Sequence, residues 1–127
     1  MGLRILLFLC LPVGAAALSG AFLYTEAPRY DVQAPLHAGD RFPAGARVLV
    51  FTDGVSRPLA PSLATSADPA LSPDAQSVLL SGRQRAGEPW QIWEVPLAGG
   101  PPRQLTSGTE DCIRPFYGAE EIGRAHV

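Results

Sequence analysis

The chain has 127 residues, a formal net charge of −2, 46% hydrophobic and 17% charged residues. That is enough for one small domain and too apolar for a disordered polyelectrolyte. Every basic residue is arginine and none clusters into a basic face, which argues against a nucleic-acid binder working by counterion displacement.

Residues 1–21 read as a signal peptide. Met1-Gly2-Leu3-Arg4 is a short positive start, Ile5 to Val13 an apolar core, and Ala15-Ala16-Ala17 or Ser19-Gly20-Ala21 supplies small residues for cleavage. The alternative is an uncleaved membrane anchor, since Ile5 to Tyr24 approaches the roughly 20 residues a bilayer requires. Cys10 sits within the apolar core, with Leu9 where a lipoprotein signal needs a small residue. Cleavage would leave Cys112 as a lone thiol, either free or paired outside this sequence.

Residues 22–46 read as a polar, proline-punctuated connector. Its His37 has no ligand-type neighbour and is expected as a surface loop histidine.

Residues 47–66 contain the first strong strand, Arg47 to Thr52, rich in β-branched and aromatic residues. Asp53-Gly54 is a hairpin signal, because glycine accepts positive φ without steric cost. Val55 to Leu59 is expected to return as an edge strand, limited by Pro58 and Pro61. Ser62 to Ala67 reads as a small-residue link.

Residues 67–108 carry a complete unit of four extended segments. Pro69-Ala70-Leu71 is a short inner strand, and Ser72-Pro73-Asp74 opens a tight turn. Val78 to Ser81 is the second strand. Arg83 to Pro89 is expected as a solvated loop. Trp90 to Leu97 has apolar residues on both faces: Trp90 and Ile92 on one, Trp93, Val95 and Leu97 on the other, as in a strand buried on both sides. Gly99-Gly100 turns the chain into Arg103 to Thr106, the outer strand.

Residues 109–121 begin the same pattern again, with Pro115 following Pro69 at about the period of 40–45 expected for such repeats. Residues 122–127, Ile122-Gly123-Arg124-Ala125-His126-Val127, can be encoded by the bases of a common sequencing-library adapter. They read as a sequencing artefact, so His126 carries no functional weight.

Asp68-Pro69-Ala70-Leu71-Ser72-Pro73-Asp74-Ala75, with Trp90-Gln91-Ile92-Trp93 and Arg103-Gln104-Leu105-Thr106 at their spacing, resembles the TolB-type β-propeller repeat. Ala75 stands where that repeat usually has glycine, and Leu71 where it usually has an aromatic residue. Cys112 to Tyr117 is also similar to the segment opening a blade in exported proteins related to the alpha subunit of hydrazine synthase. These resemblances imply an all-β truncated β-propeller, with one complete four-stranded antiparallel blade, parts of two neighbours, and a signal or anchor helix ahead of them. They imply a bacterial periplasmic or cell-envelope setting. They imply envelope proteins as partners, no nucleic acid, and membrane contact only through an uncleaved N-terminal segment.

No catalytic, cofactor-binding or metal-binding residue is assigned. There is no Gly-x-Ser-x-Gly elbow and no phosphate-cradling glycine loop. Asp53, Asp68 and Asp74 are expected as turn residues. Glu110-Asp111 and Glu120-Glu121 read as solvated loop. Trp90 and Trp93 are expected to pack between sheets rather than stack on a ligand. The loop carrying Arg83 and Arg85 is the best exposed candidate for recognition. The function expected is a non-catalytic interaction scaffold. The alternative is the propeller region of a larger exported enzyme, a serine peptidase or a haem-bearing protein, with its active site elsewhere.

Overall fold

The computed structural model describes residues 20–118. Residues 1–19, with most of the expected leader and Cys10, lie outside the described residues, as do Glu120-Glu121 and the adapter-like end with His126. Among the described residues no helix is long and apolar enough to cross a membrane.

The described residues are all-β, in two antiparallel sheets. The first holds β1 (Phe22–Glu26), β2 (Arg47–Thr52) and β3 (Val55–Pro58), with β2 in the middle. A single 3₁₀ turn, Ala34–His37, lies between β1 and β2. The second sheet is a meander of β4 (Thr65–Leu71), β5 (Ser77–Arg83), β6 (Gln91–Pro96) and β7 (Arg103–Gln104).

The turn chemistry acts as its residues dictate. Asp53 and Gly54 have φ of +53° and +80°, the paired positive values of a type I′ hairpin, and β2 folds directly onto β3. In the β4–β5 turn, Ser72 Oγ donates to Asp74 Oδ1 at 2.6 Å and accepts the N–H groups of Gln76 and Ser77. Ala75 takes the positive φ, +58°, that glycine would adopt without strain.

Three elements differ from the sequence reading. The expected connector contains β1, whose Phe22-Leu23-Tyr24-Thr25 run pairs along β2. The inner strand starts at Thr65 rather than Pro69: Ser66 donates its N–H to the Ala46 carbonyl, and its Oγ accepts the N–H of Val48. Small side chains are needed there because β2 approaches closely. The outer strand is only two residues, Arg103–Gln104, and Leu105 adds a bond to the Ile92 carbonyl.

The two sheets stack through one core. Val48, Val50 and Leu59 from the first pack against Val78, Leu80, Trp93 and Val95 from the second, with Leu23 alongside. Each such side chain contributes about 1.5–3 kcal/mol on burial. Leu79 and Ile92 point to the opposite face of the second sheet and are also buried. Residues 112–116 run across that face and line a cavity with them.

The first sheet repeats β5, β6 and β7. Phe22, Leu23, Tyr24 and Thr25 pair with Phe51, Val50, Leu49 and Val48, just as Val78, Leu79, Leu80 and Ser81 pair with Val95, Glu94, Trp93 and Ile92. Arg57 lies opposite Val50 as Arg103 lies opposite Glu94. Leu59 bonds the Val48 carbonyl as Leu105 bonds that of Ile92. The next strand repeats too: the Ser66 N–H reaches the Ala46 carbonyl, and the Cys112 N–H reaches that of Trp90. Among the described residues the first sheet has no counterpart of β4.

Candidate functional site

The principal polar grouping lies where β5 ends and β6 begins. Arg83 closes β5, and Trp90 immediately precedes β6. Asp40 and Arg41 come from the segment between the 3₁₀ turn and β2. Together with Pro35 and Asp111 they line a cleft of about 440 Å³.

Two ion pairs organise it. Arg83 donates both terminal nitrogens to Asp40, at 2.5 and 2.9 Å. Trp90 Nε1 donates to the same carboxylate at 3.0 Å, and the Arg83 guanidinium lies 4.7 Å from the Trp90 ring centroid. The second pair is deeper. Arg41, 7% exposed, donates to both oxygens of Asp68 at 3.1 and 2.6 Å, and Ser81 Oγ donates to Asp68 Oδ2 at 3.0 Å. Planar two-point pairing of this kind suits arginine, and desolvation makes each partner dependent on the other.

The bonds from Arg83, and then from Trp90, hold the Asp40 carboxyl below its ordinary range against the opposing effect of burial. The bond to Asp68 pushes the Arg41 guanidinium further up. Asp74 is lowered chiefly by the Ser72 hydroxyl and then by the Gln76 N–H. Burial, with the Glu94 carboxylate next to it, raises the Tyr117 phenol.

This arrangement corrects two sequence expectations. Asp68 is not a turn residue. It sits at a register shift inside β4 and accepts a buried arginine from a distant segment. Arg83 is not a solvated loop tip, because Asp40 and the Trp90 ring hold it, whereas Arg85 is exposed. Asp53 and Asp74 do occupy turns. Trp93 packs in the core, while Trp90 is buried at its polar rim. His37 is exposed at the end of the 3₁₀ turn. Glu110 and Asp111 are exposed, but Asp111 Oδ1 accepts the Trp90 N–H at 2.9 Å. Cys112 is a free, half-buried thiol.

The sequence reading missed Asp40 and Arg41 altogether. Their partners lie 43 and 27 residues away, so no local pattern marks them. The adjacent charges Asp40-Arg41 within a proline-rich stretch were the one available signal.

Chemically, the cleft presents the Arg41 and Arg83 guanidiniums and the Asp40 carboxylate, each already in an ion pair, with the Asp111 carboxylate accepting the Trp90 N–H. Such a grouping fixes segments and can recognise polar surfaces; it does not poise a nucleophile beside a base. The Ser72 hydroxyl is committed to its turn. Among the described residues no group of three or more His, Cys, Asp or Glu side chains is placed to hold a metal ion.

No family model matches the chain. It is similar to the hydrazine synthase subunit alpha of Kuenenia stuttgartiensis, with 29% identity over 111 residues, covering 83% of this chain and 14% of that protein. A solved structure of Kuenenia stuttgartiensis hydrazine synthase superposes with a TM-score of 0.65 and 27% identity, over 78% of this chain and 13% of that one. The chain therefore spans about 14% of the length of the curated relative it matches.

Proposed function

We propose that this chain is part of an exported β-propeller protein and serves as a non-catalytic interaction scaffold in the bacterial cell envelope. The observation that carries the reading is the repeat of β5–β6–β7 in β1–β2–β3, in the same order and register, with the Leu59 and Ser66 backbone bonds matched by those of Leu105 and Cys112. A repeated antiparallel sheet with apolar side chains on both faces is the building unit of a propeller, in which each blade is covered by two neighbours. The TolB-type motif supports the same architecture and brings the envelope setting with it. The cleft around Asp40 and Arg83 and the exposed Arg85 loop are the surfaces such a scaffold would present.

The test is fractionation of cells expressing the open reading frame with its own N-terminus. The protein is expected in the periplasmic or envelope fraction; recovery solely from the cytoplasm overturns the reading.

A second reading is favoured by the modest share of its relative that the chain spans. On this reading the same sheets form the propeller region of a larger exported enzyme, a serine peptidase or a haem-bearing protein, whose reacting groups lie in other parts of the polypeptide. A haem absorption band, or labelling by a serine-directed probe, in the product of the complete gene would establish it over the first.

A further inference from the structure

We propose that residues 34–41 form a strap that opens and closes the polar cleft together with residues 111–114, the two segments being coupled through Trp90 and Ser81. Each segment contributes to the cleft lining, Pro35, Ala38 and Gly39 from the first and Asp111 and Ile113 from the second. Among the described residues no hydrogen bond joins the two segments directly. What they share is the pair of residues that holds both.

The strap is an addition to the repeat. Residues 27–46 join β1 to β2, whereas residues 84–90 suffice between β5 and β6. Extra residues in a repeat protein fall in loops on one face, often the binding face. The strap is also lightly held. Its internal bonds are those of its own turn, and Leu36 and His37 are exposed. Among the described residues, Asp40 and Arg41 make all of its hydrogen bonds to the second sheet. A segment with few buried apolar contacts opens at a fraction of the cost of global unfolding.

Two routes lead from these adjacent residues to the second segment. Asp40 accepts the Trp90 Nε1 proton; the backbone N–H of Trp90 donates to Asp111, and its carbonyl accepts the Cys112 N–H. Arg41 pairs with Asp68, Asp68 accepts the Ser81 hydroxyl, and Ser81 Oγ accepts the Arg114 N–H. The polarity of this second route is fixed at both ends. An ionised carboxylate only accepts and an amide N–H only donates, so the Ser81 proton points at Asp68 and a lone pair at Arg114. Ser81 is fully buried, and water does not reach it to replace either partner. A hydroxyl that donates to a carboxylate is the better acceptor for it.

Loss of Arg41 leaves the Asp68 carboxylate desolvated and unpaired. The carboxylate then turns toward solvent, the Ser81 proton is no longer held, and the Arg114 N–H loses its acceptor. Arg114 is the element with two states. Its φ of +57° is strained for a residue other than glycine and persists only while its surroundings enforce it. Once released, it relaxes to the ordinary region and residues 111–114 leave the cleft.

Cys112, a free and half-buried thiol in the second segment, is a built-in reporter. The experiment uses the whole chain carrying Cys10→Ser. It measures the rate at which Cys112 reacts with a thiol-specific reagent, together with hydrogen exchange at Gly39 in the strap and along β5 and β6. Asp40→Asn and Arg41→Gln are each expected to raise Cys112 labelling roughly tenfold, in step with Gly39 exchange, while the β5 and β6 amides stay protected. The coupling is reciprocal, so Asp111→Ala raises Gly39 exchange by a similar factor. In a Ser81→Ala background, which cuts the second route, Arg41→Gln is expected to add little to the labelling rate. Faster Gly39 exchange with unchanged Cys112 labelling overturns the proposal, since the strap then opens alone. An undiminished effect of Arg41→Gln in Ser81→Ala, or no change at either site, overturns it as well. So does a rise matched by the β5 and β6 amides, because the two segments then open only with the whole sheet.

Discussion

Asp68 and Arg114 share one uncommon backbone state: φ is +55° at the first and +57° at the second, and a proline follows each. The Ser81 hydroxyl joins the two, donating to the Asp68 carboxylate and accepting the Arg114 N–H, both at 3.0 Å. A left-handed non-glycine residue costs about 1–2 kcal/mol, so its recurrence at equivalent positions marks a constraint of the repeating unit.

The Arg41–Asp68 pair supplies the first prediction. Removing one partner leaves the other charge buried and uncompensated. Arg41→Met is expected to cost about 3–5 kcal/mol in urea unfolding, whereas the double variant Arg41→Met/Asp68→Leu recovers most of that loss. A double variant no more stable than the single one would show that the pair is not coupled in this way.

Ala75 supplies the second. At φ +58° it bears a strain that glycine does not, and nothing else in the turn depends on its methyl group. Ala75→Gly is expected to stabilise the chain by roughly 1 kcal/mol, after allowance for the greater freedom of glycine when unfolded. The midpoint of urea unfolding should rise, with its slope unchanged.

Gly82 supplies the third, with the opposite sign. A Cβ there would lie 2.7 Å from Leu63 Cδ1 and 3.1 Å from Trp93 Cδ1. Gly82→Ala is expected to cost about 1–3 kcal/mol through overpacking. Pairing it with Leu63→Ala, which vacates the nearest contact, should return part of the loss.

Asp40 supplies a pH dependence. Its folded-state pKa is lowered, chiefly by Arg83, so the folded chain holds the carboxyl ionised more strongly than the unfolded chain does. The resulting stabilisation is present above the unfolded carboxyl value and is lost as pH falls through the lower folded value. Because Trp90 Nε1 binds the same carboxylate, the indole reports the event. Its fluorescence is expected to change on acidification below about pH 4. In Asp40→Asn that transition should disappear.

The meander was legible because local rules write it. The Asp53-Gly54 and Ser72-Pro73-Asp74 turns, the period-two alternation around Trp93, and the Gly99-Gly100 turn each act over a few residues, and all lie where the sequence places them. The aspartates at 53 and 74 were legible for the same reason. β1 was not, because five residues that continue an apolar stretch carry no alternation strong enough to separate a strand from a connector; pairing with β2 decides it.

By itself, then, the sequence determined the all-β character, the turns between strands, and the order of the four strands in the second sheet, though not where the inner one starts or the outer one stops, since steric limits on φ and alternating side chains are properties of short stretches. Only the tertiary structure decided that Arg41 reaches Asp68, that Arg83 reaches Asp40, and that the first sheet is a second copy of β5–β6–β7. Ion pairs and sheet stacking join residues far apart in the chain, and their strength comes from the loss of water that packing alone brings about.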